Sequence, residues 1–125
     1  MVSRVISLAV VFMLSACGMP DVEVTVEENH KEKPRPVKVV VVTLFEIGED
    51  TGDRAGEFQL WKERRVFDEI LPFHGYKDLH YNSEDGLLVI VTGIGTARSA
   101  AATMAAGMDP RFDLSKAYWL TAGIA

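Results

Sequence analysis

The sequence predicts an α/β fold built on an open, mostly parallel β-sheet. Residues 37–45 and 87–91 are short apolar runs rich in β-branched side chains, which is typical of strands buried on both faces of a sheet. A loop containing glycine and then a helical pattern follow each run, and residues 117–121 resemble a third strand. This alternation of strand, loop and helix is the βαβ arrangement of open α/β sheets.

The segment between the first two strands predicts a loop, a helix and a hairpin. Residues 46–56 are rich in glycine and acidic side chains and predict a loop. Residues 57–71 have apolar side chains at a spacing of three to four and predict a helix that ends before Pro72. Residues 78–81 are separated from the second strand by the polar turn 82–86, which predicts a β-hairpin.

The region after the second strand predicts a helix that packs closely on the sheet. Residues 97–108 are dominated by alanine, a strong helix former whose small side chain permits close packing, and Asp109-Pro110 ends the pattern. The third strand then runs into an apolar end without a polar tail. We therefore predict that the sequence is the N-terminal part of a longer domain, so that the sheet is truncated.

Residues 1–16 predict a signal peptide. One positive charge at Arg4 precedes an uncharged run over residues 5–14, which is half the roughly 20 apolar residues that a transmembrane helix needs. Leu14-Ser15-Ala16-Cys17 resembles the lipobox of bacterial lipoproteins, and lipidation accounts for a lone cysteine in an exported protein. The alternative is a plain signal peptide that leaves Cys17 as a spare thiol.

The segment after the predicted signal peptide is expected to be flexible. Residues 17–36 are polar and contain Pro34 and Pro36, so they predict a flexible tether. Lipidation at Cys17 would make the protein a membrane-anchored lipoprotein of the cell envelope that faces the periplasm.

The charge of the chain restricts its partners. The chain has 13 basic and 18 acidic residues and a net charge of −5, which argues against nucleic acid as a partner.

The sequence Thr92-Gly93-Ile94-Gly95-Thr96-Ala97-Arg98 is the main candidate for a ligand-binding loop. Glycines allow the backbone to approach an anion, and the first amides of the following helix can bind it. Arg98 stands where the dinucleotide fingerprint has its third glycine, and the Gly-Lys-Ser/Thr ending of a P-loop is missing, so we expect no cofactor. A tight turn between strand and helix is the alternative.

Four blocks of the sequence resemble the purine nucleoside permease family in the same order. The first block is residues 39–53, which start with Val39-Val40-Val41-Val42-Thr43-Leu44-Phe45-Glu46. The others are residues 56–61, 91–98 and 109–120. The resemblance implies that residues 37–125 are the N-terminal part of a sheet of the nucleoside phosphorylase type. It also implies binding of a purine nucleoside, and of phosphate in a phosphorylase, at Thr43, Glu46, Thr92, Gly93, Gly95, Thr96 and Arg98.

Two functions stay open from the sequence. The first is a nucleoside-binding protein that serves uptake by capturing purine nucleosides at a membrane surface. The second is an enzyme that cleaves the N-glycosidic bond with phosphate or water, and its catalytic residues are not assigned.

No metal site is expected. The acidic residues of 46–56 lack the spacing of a calcium loop, and His30, His74 and His80 lack a metal-binding pattern. The sequence does not determine whether the protein forms a homo-oligomer.

Overall fold

The structure, a computed structural model, describes residues 32–123. The predicted signal peptide, the predicted lipidation site Cys17 and the tether up to Lys31 lie outside the described residues, as do Ile124 and Ala125. The elements in chain order are β1 (Arg35–Pro36), β2 (Val39–Thr43), α1 (Gln59–Arg64), β3 (Glu69–Leu71), β4 (Leu79–Asn82), β5 (Leu87–Val91), α2 (Thr96–Gly107), β6 (Phe112–Asp113) and β7 (Tyr118–Thr121).

Within the described residues the main sheet has five strands in the order β3-β4-β5-β2-β7. Strands β5, β2 and β7 are parallel, whereas β3 pairs with β4, and β4 with β5, in antiparallel fashion. The fold is therefore α/β, as predicted, but the sheet is mixed rather than mostly parallel. The hairpin is the reason, because its tight turn forces β4 to run opposite to β5.

The predicted helix over residues 57–71 is wrong in its second half. Helix α1 ends at Arg64, and Arg65 has the extended angles φ −127° and ψ 145°. The strand β3 pairs with β4, and the Arg35 side chain forms a 2.7 Å ion pair with Glu69 on β3. Arg35 lies 34 residues before Glu69, and β4 follows β3 in the chain, so contacts outside residues 57–71 outweigh the local helical pattern.

Within the described residues, the first strand begins at Arg35, two residues before Val37. Strand β1 pairs in parallel with β6, and the Tyr81 hydroxyl donates a 2.8 Å hydrogen bond to the carbonyl oxygen of Pro36. The last residues of the predicted tether therefore belong to the folded unit, while residues 17–31 lie outside the described part of the chain.

The sheet separates two apolar clusters because successive side chains of a strand point to opposite faces. Val40 and Val42 pack with Leu88, Ile90 and other residues of one cluster, which also contains Ala102 and Ala106 of α2. The opposite cluster contains Val41, Phe58, Leu87, Val89 and Val91, with Trp61 packed against it. Each helix thus covers one face, as expected for strands buried on both sides.

Strand β7 is exposed although its sequence suggests a buried strand. It forms the edge of the described sheet beside β2, and the relative exposures of Tyr118, Trp119 and Leu120 are 80%, 43% and 47%. Among residues 32–123 the outer side of β7 has no strand partner.

The contact of α2 with the sheet depends on small side chains, and this can be tested. Ala106 is fully buried, so leucine at this position would overpack the interface and should reduce the free energy of unfolding by about 1–3 kcal/mol. Urea unfolding of the full chain measures this change. The matched control is Ala101→Leu at an exposed position of the same helix. Equal stability of the two variants would contradict the packing.

Candidate functional site

The candidate site lies where β2 and β5 end together. These strands are parallel and in register, with Thr43 opposite Val91, so the loops that follow them open at the same edge of the sheet. Ligands of open α/β sheets bind outside the carboxyl ends of the strands. A pocket of about 320 Å³ lies at this edge and is lined by Leu44, Phe45, Glu46, Lys77, Val91, Gly93, Ile94 and Arg98. Its volume is within the range of small-molecule sites.

The loop after β5 has a backbone that favours glycine. Gly93 and Gly95 have positive φ angles of +88° and +101°, which other L-residues rarely adopt. Gly95 is the N-cap of α2, and no side chain caps this helix end. The first amides of an α-helix have no partner within the helix, so the start of α2 offers hydrogen-bond donors and a partial positive charge.

Arg98 packs across Gly93. A Cβ atom at Gly93 would overlap the Arg98 side chain, so the missing side chain is what allows this contact. The Nη2 atom of Arg98 donates a 3.1 Å hydrogen bond to the carbonyl oxygen of Gly75, and the guanidinium carbon lies 5.4 Å from the centre of the Tyr76 ring. The cation is therefore held beside the pocket by the segment that precedes β4.

Glu46 organises the opposite wall. Its carboxylate accepts a 2.8 Å hydrogen bond from the Ile47 amide and further bonds from the amides of Gly56 and Gln59. Burial raises the pKa of Glu46, but these backbone hydrogen bonds, with one from Phe58, lower it more, and the net pKa is below its ordinary value. The carboxylate thus fixes the loop to the start of α1 while it lines the pocket.

Thr43 and Thr92 lie behind the pocket wall. Both are fully buried at the ends of β2 and β5. The Thr43 hydroxyl donates to the carbonyl oxygen of Ile90 at 3.1 Å, and the Thr92 hydroxyl bonds to the carbonyl oxygen of Gly93 at 3.1 Å. A 3.2 Å hydrogen bond also joins the hydroxyls of Thr92 and Ser99. These hydroxyls therefore fix the strand ends and the start of α2.

Three of the seven predicted ligand residues, Glu46, Gly93 and Arg98, line the pocket. Gly95 and Thr96 form the start of α2 beside it, and Thr96 is exposed. Lys77 also lines the pocket and was not predicted from the sequence. Its ammonium pairs with Asp50 and lies 5.7 Å from the centre of the Phe58 ring. The predicted hairpin could have indicated it, because an antiparallel β4 begins near the end of β5.

The acidic loop is held by internal contacts. The Asp53 carboxylate accepts a hydrogen bond from the Glu49 amide at 3.0 Å, and the Glu63 carboxylate accepts one from the Gly52 amide at 3.1 Å. In the range 32–123, no three His, Cys, Asp or Glu side chains are placed to hold a metal ion together. The acidic residues therefore stabilise the loop that carries Glu46.

Comparison with known proteins identifies one family. The protein-family model "Purine nucleoside permease (NUP)" matches residues 36–125. A purine nucleoside permease of Candida albicans is 28% identical over 110 residues, which is 81% of this chain and 25% of the relative, and the sequence from strain SC5314 gives the same values. The chain therefore spans about a quarter of the length of these curated relatives. No solved structure matches it, so the nucleoside phosphorylase type of the sheet stays a prediction.

The role of Glu46 predicts a specific pH dependence. Because its folded pKa is lowered, Glu46 stabilises the fold above its ordinary pKa of 4.5, and this contribution is lost as the pH falls through the lower folded pKa. Glu46→Gln should therefore be less stable than the unmodified chain at pH 7, and the difference should shrink below pH 4.5.

Urea unfolding between pH 3 and 7 measures this difference. The matched control is Glu49→Gln, which changes an exposed side chain in the same loop. A difference between Glu46→Gln and the unmodified chain that is independent of pH would contradict the proposed role of the carboxylate.

Proposed function

This chain belongs to the purine nucleoside permease family, and on that premise we propose that its pocket binds a purine nucleoside. Family membership supports a role in nucleoside transport. The observation that carries the proposal is the pocket between Glu46, Gly93 and Arg98 at the carboxyl ends of β2 and β5. Amide donors at the start of α2 suit hydroxyl or phosphate oxygens, while Phe45 and Ile94 suit the apolar faces of a sugar or base.

The proposed contribution to uptake is capture of nucleosides at a membrane surface. We propose that residues 1–16 direct export, that lipidation of Cys17 anchors the protein, and that the part of residues 17–36 before β1 tethers a domain facing the periplasm. Among the described residues, no helix has both the length and the apolar character needed to cross a bilayer.

An enzymatic role is the alternative, and the cationic wall of the pocket favours it. Arg98 lines the pocket together with Gly93 and Ile94, which come just before the start of α2, and a guanidinium beside helix amides suits phosphate. In this alternative, phosphate or water cleaves the N-glycosidic bond of a purine nucleoside, and the positive wall stabilises charge that develops in the transition state.

Arg98 provides the direct test of the site. Isothermal titration calorimetry of the full chain should detect inosine or adenosine, and Arg98→Met should weaken binding about tenfold or more because a charged hydrogen-bond donor is lost. Arg64→Met, on α1, is the control that removes an arginine outside the pocket. Unchanged affinity in Arg98→Met would contradict this site.

The same nucleosides separate the binder from the enzyme. Incubation with and without phosphate, followed by chromatography of the products, measures the release of base. Saturable binding without base supports capture for transport. Release of base that stops in Arg98→Met supports the enzyme instead.

The lipid anchor has its own test. In a bacterial host, Cys17→Ala should abolish lipid attachment and shift the protein from the membrane fraction to the soluble one. Globomycin should block processing of the unmodified protein. Cys17→Ser keeps a small polar side chain and should behave like Cys17→Ala. Unchanged processing and membrane attachment in both variants would contradict lipidation.

A further inference from the structure

We propose that Lys77 is a ligand-binding residue of this pocket and that Asp50 positions it. The inference rests on the proposed function and deepens it, because it assigns a third wall to the site. This wall is the segment Gly75-Tyr76-Lys77, which lies between β3 and β4 and outside the sequence blocks that indicated a ligand. Lys77 should donate a hydrogen bond to an oxygen atom of the ligand.

The segment connects the two loops that form the rest of the pocket. The carbonyl oxygen of Gly75 accepts the 3.1 Å hydrogen bond from Arg98, and the Tyr76 ring lies against the same guanidinium. The next residue, Lys77, forms an ion pair with Asp50 in the loop after β2. Three consecutive residues thus hold one cation from α2 and place a second cation at the pocket.

Lys77 is held in place but still accessible. Its side chain is 40% exposed and lines the pocket, and its ammonium lies 5.7 Å from the centre of the buried Phe58 ring. An ammonium carries three N–H donors, so its ion pair with one Asp50 oxygen leaves donor capacity for a ligand. Contacts on two sides reduce the rotamer freedom that a lysine would otherwise lose on binding.

The charges of the pocket indicate the chemistry of the group that Lys77 binds. The charged residues among those lining the pocket are Glu46, Lys77 and Arg98. The Glu46 carboxylate already accepts several backbone amides, whereas the two cations can only donate hydrogen bonds. The pocket is therefore rich in donors and favours ligand atoms that accept, such as the oxygens of a nucleoside or of phosphate.

The test uses calorimetric titration of the full chain with inosine and, separately, with inorganic phosphate. Lys77→Met should weaken binding of at least one of them about tenfold, because it removes a charged donor and retains most of the side-chain length. Lys77→Arg should recover most of the affinity. Lys116→Met is the control, since Lys116 is exposed and does not line the pocket.

The role of Asp50 needs a readout that separates positioning from folding. Asp50→Asn should weaken binding at least about threefold, Asp50→Glu should restore it, and the thermal midpoints of the two variants should agree. A loss of affinity that Asp50→Glu leaves uncorrected would overturn the positioning role.

The outcomes distinguish this assignment from the proposed function. A loss of affinity confined to phosphate or to inosine supports the assignment and identifies which of the two compounds Lys77 contacts. Binding by the unmodified chain that Lys77→Met retains in full overturns the assignment of Lys77 and leaves the proposed function intact. Absence of binding of both compounds by the unmodified chain overturns the proposed function and the assignment with it.

Discussion

The site depends on the parallel, in-register pairing of β2 with β5. This pairing places Thr43 beside Val91, so the acidic loop and the glycine loop emerge at one edge of the sheet. The apolar clusters on both faces hold β2 in the middle of the sheet, because Val40 and Val42 pack into one cluster and Val41 packs into the other. The core therefore determines where the functional loops meet.

The acidic side chains near the site stabilise the loops rather than create a negative pocket. Glu46 accepts backbone amides across its own loop, and the Glu57 carboxylate accepts a 2.7 Å hydrogen bond from the amide of Leu44 at the end of β2. Asp50 pairs with Lys77. An acidic chain thus has a pocket that is lined by the donor groups of Lys77 and Arg98, since local contacts rather than net charge determine the character of a pocket.

The sequence predicted the elements whose signals are local. The valine run of β2, the hairpin of β4 and β5, and the alanine-rich helix α2 each contain their own pattern, and the structure confirms them. Strand β3 could not be predicted in this way because it depends on pairing with β4 and on the distant Arg35. The exposure of β7 depends on its position at the sheet edge, which the run Tyr118-Trp119-Leu120 does not encode.

In the candidate site, too, residues that belong to a continuous sequence motif could be predicted, whereas residues placed by distant contacts could not. Gly93 and Arg98 belong to one continuous motif, and the glycines have the backbone angles that the motif requires. Lys77 belongs to no motif, since its position depends on an ion pair with Asp50, 27 residues earlier in the chain. The hydroxyls of Thr43 and Thr92 bond within the fold because both threonines lie at the ends of buried strands, and their contact with a ligand stays a prediction.

A nucleoside site at the carboxyl ends of β2 and β5 can be tested by nuclear magnetic resonance of the full ¹⁵N-labelled chain titrated with inosine. We expect saturable chemical-shift changes at the amides of Gly93, Gly95 and Thr96, and smaller changes at the exposed residues of β7. Changes that are confined to β7 or to α1, with the glycine loop unaffected, would contradict a nucleoside site at the carboxyl ends of β2 and β5.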